Sequence, residues 1–261
     1  MATYNKRGYK APKPAEVTEA VEPEEIFDGK STTAEVFNTL DEGASRTEEW
    51  VAKNQKIIFG VVGAIAIATI GYLVYDKMFA TPKEEEAALE MFQAQQYFSQ
   101  AVNATTPGDS LYNLALKGGE GKFGFLAVID KYKGTDAANL AEYCAGVSYL
   151  NTGKYKEAVE HLDNFTTKDN VLNATAIGAK ADAFVQLGTP DNLNEALGLY
   201  DKAAKATDDD YLSPRFLYKA GQLALSLNKK ADANKYFKEI KEKYSASQEG
   251  SNIDAFIAMT E

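Results

Sequence analysis

Histidine, cysteine and tryptophan are nearly missing from this chain, each occurring once, as His161, Cys144 and Trp50. A single cysteine rules out an internal disulfide. One histidine and one cysteine also rule out a metal site built from several imidazoles or thiolates. Basic residues are in the minority, 28 Lys and Arg against 38 Asp and Glu, for a net charge of -10. A nucleic-acid binder needs a positive footprint that releases phosphate counterions, so that class is excluded. Alternating strand patterns are scarce, and long apolar runs are absent except for one.

That run covers residues 57–75, IIFGVVGAIAIATIGYLVY, and contains no charge. As a helix it measures roughly 28 Å, close to the hydrocarbon thickness of a bilayer. Trp50 precedes it, and Tyr72 and Tyr75 close it, where amphipathic rings favour the headgroup layer. It stands too far from the start for a cleavable signal, and Met78 fills a position where cleavage wants a small side chain. The expectation is one transmembrane helix. Arg46, Lys53 and Lys56 outweigh the flanking charge beyond the span, which favours a cytoplasmic N-terminus and an exported C-terminal domain. Gly60 and Ala64 give the span a small-residue spacing suited to packing against another membrane helix.

Residues 1–30 hold Pro12, Pro14 and Pro23, a basic start and an acidic continuation with no apolar period, and are expected to be a disordered cytoplasmic leader. Residues 31–56 are expected to form amphipathic juxtamembrane helices. There Ser45 and Glu48 have the spacing of a capping box that would start a helix leading into the span.

From residue 84 to residue 261 the pattern is helical throughout. The first stretch sets Leu89, Phe92, Gln96 and Ser99 on one face, or Leu89, Phe92, Ala94 and Phe98 on its neighbour. A repeat follows. In NLAEYCAGVSYLNTGKYKEAVEHLDNF, Gly146 and Ala158 are small where two helices would cross. Tyr149, Leu162 and Phe165 would fill the space around the crossing, and Gly153 would end the first helix in a left-handed cap. Gly221, Asn228, Ala233, Phe237 and Ile240 repeat the pattern, and 75 residues separate Gly221 from Gly146 as they do Ala233 from Ala158. A middle copy contains Ala181, Gly188, Ala196 and Tyr200, with three extra residues around Thr189, Pro190 and Asp191. Upstream, FGFLAVIDKYKGT reads as the second helix of a divergent first unit, with residues 103–121 as a loop. Residues 252–259 read as a capping helix.

These positions resemble the tetratricopeptide consensus, which implies an all-α fold: one transmembrane helix plus an α-solenoid of about four helix pairs. The whole layout is similar to bacterial single-span tetratricopeptide-repeat proteins, in particular the YfgM-like ancillary subunit family of the SecYEG translocon. That resemblance implies an inner-membrane protein with a periplasmic repeat domain, whose partners are translocon subunits, exported polypeptides or a periplasmic chaperone. It implies neither a small-molecule substrate nor an enzyme. The binding groove it implies is lined by Tyr143, Val147, Leu150 and Asn151, then Asp182, Val185 and Gln186, then Arg215, Tyr218, Gln222 and Leu225. A scaffold for another envelope assembly, without client handling, is the alternative.

No residue set points to catalysis. His161 lacks a second histidine or a cysteine beside it, and Cys144 sits on a helix face that packs. Asp208, Asp209 and Asp210 lack the glycine and closing glutamate of a calcium loop, and Asp210 or Ser213 reads as a helix cap before Pro214. Gly118, Gly119 and Gly121 are not followed by a phosphate-loop lysine, so no cofactor is expected. Asp109-Ser110-Leu111 is similar to a short O-glycosylation motif of some bacterial envelope proteins.

Overall fold

A computed structural model describes residues 32–105 and 108–261, with the backbone alone for residues 32–47. The leader expected over residues 1–30 lies outside the described residues. All the regular structure described is helical, without a strand. The chain divides into two compact units, residues 1–68 and 69–261.

Helix α1 runs unbroken from Thr32 to Tyr75. The expected helix start at Ser45 is therefore absent, because Ser45 lies well inside α1. No proline interrupts this stretch, and Gly43 alone costs only about 1 kcal/mol of helix propensity. One helix among the described residues is long and apolar enough to cross a membrane, and none of its most apolar window is buried within the protein. Ile57, Phe59, Ile65 and Ile67 all stand exposed. A helix apolar on every side and exposed among the described residues is suited to a bilayer, or to other helices, around it.

In the second unit a π-helical turn, Asp76–Ala80, precedes α2, Thr81–Val102. Pro82 has no N–H to offer the preceding turn, and the Thr81 N–H reaches back five residues to the Asp76 carbonyl. The buried stripe of α2 is Ala87, Met91, Ala94 and Ala101. Of the residues that signalled this helix, Leu89 and Phe92 are exposed, while Ala94 is buried and Phe98 packs against the core. Alanines recur at seven-residue spacings along the stripe, and they let α2 approach its neighbours more closely than a face of Leu and Phe would.

Residues 103–121, expected as a loop, contain helix α3, Asp109–Lys117, whose Tyr112, Ala115 and Leu116 are buried. The signal was present in the i, i+3, i+4 spacing of these three residues, but the flanking glycines masked it. Helix α4, Phe125–Lys131, follows, and α2, α3, α4 and the next helix, α5 (Asp136–Asn151), share one core around Phe125, Val128, Tyr132 and Ala141.

Three helix hairpins come next: α5 (Asp136–Asn151) with α6 (Tyr155–Asn164), α7 (Asn170–Leu187) with α8 (Pro190–Ala206), and α9 (Leu212–Ser226) with α10 (Lys230–Lys243). Each helix packs on the next, and the first helices of successive hairpins also touch. Each turn holds one residue in the left-handed region: Gly153 at φ +75°, Gly188 at +70° and Asn228 at +57°. In the outer two hairpins the crossings are as tight as their glycines suggest. A Cβ on Gly146 would lie 2.6 Å from Leu162 Cγ, and one on Gly221 would collide with the Phe237 ring.

The middle hairpin differs. Ala181 is fully buried at its crossing, while Gly178 makes room for Phe216 of the following hairpin, whose ring would collide with any Cβ there. Its three extra residues do not form a longer loop. They lengthen the start of α8, with Thr189 capping the Asn192 N–H and Pro190 at the first helical position. The cap of α9 comes from Asp209, whose Oδ1 accepts the N–H groups of Tyr211 and Leu212 at 2.9 and 2.7 Å, and not from Asp210. Ser213 is buried and donates to the Thr207 carbonyl. Helix α11, Ile253–Ala258, covers α10 through buried Ile253.

Candidate functional site

Where the three hairpins adjoin, a cleft of about 440 Å³ is lined by Leu150 and Asn151 at the end of α5, Tyr155 at the start of α6, Asp182, Val185 and Gln186 of α7, Tyr200 of α8 and Lys219 of α9. Five of the expected groove residues meet here: Leu150, Asn151, Asp182, Val185 and Gln186.

The chemical centre of the cleft is Asp182. Its Oδ1 accepts hydrogen bonds from the Tyr200 hydroxyl at 2.5 Å and from Lys219 Nζ at 2.6 Å, and its Oδ2 accepts a second one from Lys219 at 2.8 Å. The Lys219 ammonium also lies 5.6 Å from the centre of the Tyr200 ring, within reach of its negative face. Burial, followed by the charge of Asp182, pushes the Tyr200 phenol far above its ordinary range, so it stays protonated and donating. Asn151 donates one amide proton to the Val147 carbonyl of its own helix at 2.8 Å. Around this neutralised pair the wall is aliphatic and amide in character.

The other expected groove residues are placed elsewhere. Tyr143 packs its ring on Phe165 at 5.3 Å, and burial raises its phenol. Val147 is half-buried on α5. Arg215 is exposed and donates to the Tyr211 hydroxyl at 3.3 Å. Tyr218 belongs to an aromatic cluster with Phe237 and Phe256, so it fixes α11 to the last hairpin rather than lining the cleft. Gln222 is exposed, and Leu225 packs against the core. The position one residue on, Lys219, is the one that reaches the cleft. Tyr155 and Tyr200 were missed because consensus register selects positions on first helices only, and Lys219 because that register selected its neighbour Tyr218. The usable signal was an acid and a base on adjacent first helices.

In the first unit, Gly60 lies on an open surface where a Cβ would meet nothing within 4 Å, and Ala64 is likewise exposed. Ser110 is exposed in the first turn of α3.

The two residues weighed for catalysis have structural surroundings. His161 Nδ1 lies 2.5 Å from Glu142 Oε2, and its ring stacks on Tyr149 at 5.2 Å. Cys144 is buried, and burial pushes its thiol up to about 12. A thiol held protonated in this way is a poor nucleophile at neutral pH. Among the described residues no group of three His, Cys, Asp or Glu side chains converges as metal ligands would.

No family model, curated protein or solved structure compared with this chain matches it, so the cleft and the helices around it have to be read on their own chemistry.

Proposed function

We propose that the protein is a membrane-anchored protein-interaction module, its three hairpins a tetratricopeptide solenoid, and that the cleft at their junction receives extended polypeptide segments. The observation behind this reading is the composition of the cleft. Residues from three successive first helices, Asn151, Asp182 with Gln186, and Lys219, meet on one surface beside Leu150 and Val185. Neutral amides and aliphatic groups suit peptide backbone and apolar side chains, and shallow open clefts suit chains rather than enclosed small ligands. The equal 75-residue offsets, the left-handed residue in each turn and the glycine crossings support the repeat assignment.

The exposed apolar helix supplies the anchor, and the charge flanking it favours a cytoplasmic N-terminus with the repeat domain in the periplasm of a bacterium. The function that fits this layout is an accessory or chaperone subunit beside the Sec translocon, meeting exported chains as they emerge. The test is a holdase assay with the full chain in lipid nanodiscs. Suppression of aggregation of several unrelated unfolded proteins, lost in Leu150→Asp and Val185→Asp variants, is the expected result. One stoichiometric envelope partner and no suppression would make the protein a scaffold instead.

A further inference from the structure

Among the described residues, Lys219 is the only cation lining the cleft and Asp182 the only anion, and they are bonded to each other. We propose that Asp182 is a specificity-determining residue: by holding Lys219 it keeps the cleft electroneutral, so that the cleft binds extended segments without gaining affinity from a free C-terminal carboxylate or an acidic run. The proposal rests on the reading of the cleft as a polypeptide site.

The geometry leaves little room for a competing anion. Both oxygens of Asp182 are engaged, Oδ1 by Lys219 and Tyr200 and Oδ2 by Lys219. A ligand carboxylate could reach the ammonium only by sharing it with a resident carboxylate a few ångströms away. Two like charges at such a distance repel, and the side chains of Asp182 and Lys219 are only 33% and 30% exposed, so water screens them incompletely. The remaining polar side chains, the Asn151 and Gln186 amides and the Tyr155 hydroxyl, can donate to and accept from peptide N–H and C=O groups. Leu150 and Val185 add apolar contact. Removing the Asp182 charge would leave a half-buried lysine without its counterion, in a cleft that would then attract carboxylates.

The experiment measures fluorescence anisotropy with the full chain in nanodiscs and two labelled decapeptides of one apolar sequence, ending in a free acid or in an amide. The wild type should bind both within about twofold, and added aspartates should not strengthen binding. Asp182→Asn should bind the acid about tenfold more tightly than the amide, the ratio that about 1.4 kcal/mol of charge pairing gives. That preference should weaken with salt and vanish in Asp182→Asn, Lys219→Met. A wild type that already prefers the acid overturns the proposal, whether or not the variant folds. So does a folded Asp182→Asn that binds both peptides alike. If the wild type binds neither peptide, the polypeptide-site reading itself fails, and the proposal with it.

Discussion

The Glu84 carboxylate of α2 caps the start of α5, accepting the Ala137 N–H at 2.8 Å and the Asp136 N–H at 2.7 Å. Thr135 accepts from the Ala138 N–H at 3.0 Å, so the open N–H groups of this helix end are shared between a local cap and a distant carboxylate. Nearby, Lys83 donates to the Lys133 carbonyl at 2.7 Å. The first turn of α2 is thereby fastened to the α4–α5 turn. Glu84→Ala should cost about 1–3 kcal/mol, because it removes two charge-assisted bonds and a carboxylate favoured at a helix N-terminus. Thermal unfolding of the full chain in detergent, followed by circular dichroism, checks this. Glu85→Ala, on an exposed neighbour, should leave the midpoint within about 1 °C.

The glycines at the crossings predict a graded series. Gly146→Ala and Gly221→Ala push a methyl into Leu162 and Phe237, and should destabilise by about 1–3 kcal/mol through overpacking. Gly198 of α8 is exposed with nothing within 4 Å of a Cβ, so Gly198→Ala should instead stabilise by about 0.5–1 kcal/mol. Denaturant midpoints of the three variants decide the order. Equal effects at all three positions would contradict the close approach.

Glu86 predicts a pH effect. Hydrogen bonds from Tyr132 at 2.7 Å and from Lys131 at 3.2 Å, with the charge of Lys131, hold its carboxyl below the ordinary value. A carboxyl depressed in the folded state contributes stability that is full above its unfolded pKa. That contribution declines as pH falls from there and is gone below the folded pKa. Unfolding midpoints of the wild type should therefore fall more steeply below about pH 4.5 than those of Glu86→Gln. Parallel curves would show that the pair contributes nothing to folding.

Cys144 should resist alkylation. With its thiol buried and pushed up to about 12, iodoacetamide at pH 8 should leave it unmodified in the folded chain and label it fully in urea. Labelling of the folded chain at the rate of a free thiol would contradict the packing of α5 against α2, α3 and α4.

The hairpins were legible in the sequence wherever sterics leave few alternatives. Gly146, Gly153, Gly221 and Asn228 each sit where a close approach or a positive φ demands them. The long apolar helix was legible because nineteen uncharged residues give a helix long enough to cross a bilayer. Helix α3 was lost because short amphipathic segments between glycines look like loops. Helix α2 was legible from its period, but not its buried face, because burial there follows a stripe of alanines that leaves Leu89 and Phe92 exposed. In the cleft, register selected Asp182 and Gln186, which line it, and Tyr218, whose neighbour Lys219 lines it instead. Which of two adjacent residues reaches a groove depends on the rotation of one hairpin against the next, and a repeat consensus does not specify that rotation.

The most direct test of the central claim is photocrosslinking from Val185 in the cleft and Ala64 in the span, in native membranes, with mass spectrometry of the adducts. The account predicts a mixture of exported polypeptides from Val185 and translocon subunits from Ala64. One dominant envelope protein at both positions, with no exported chain among the adducts, would contradict it.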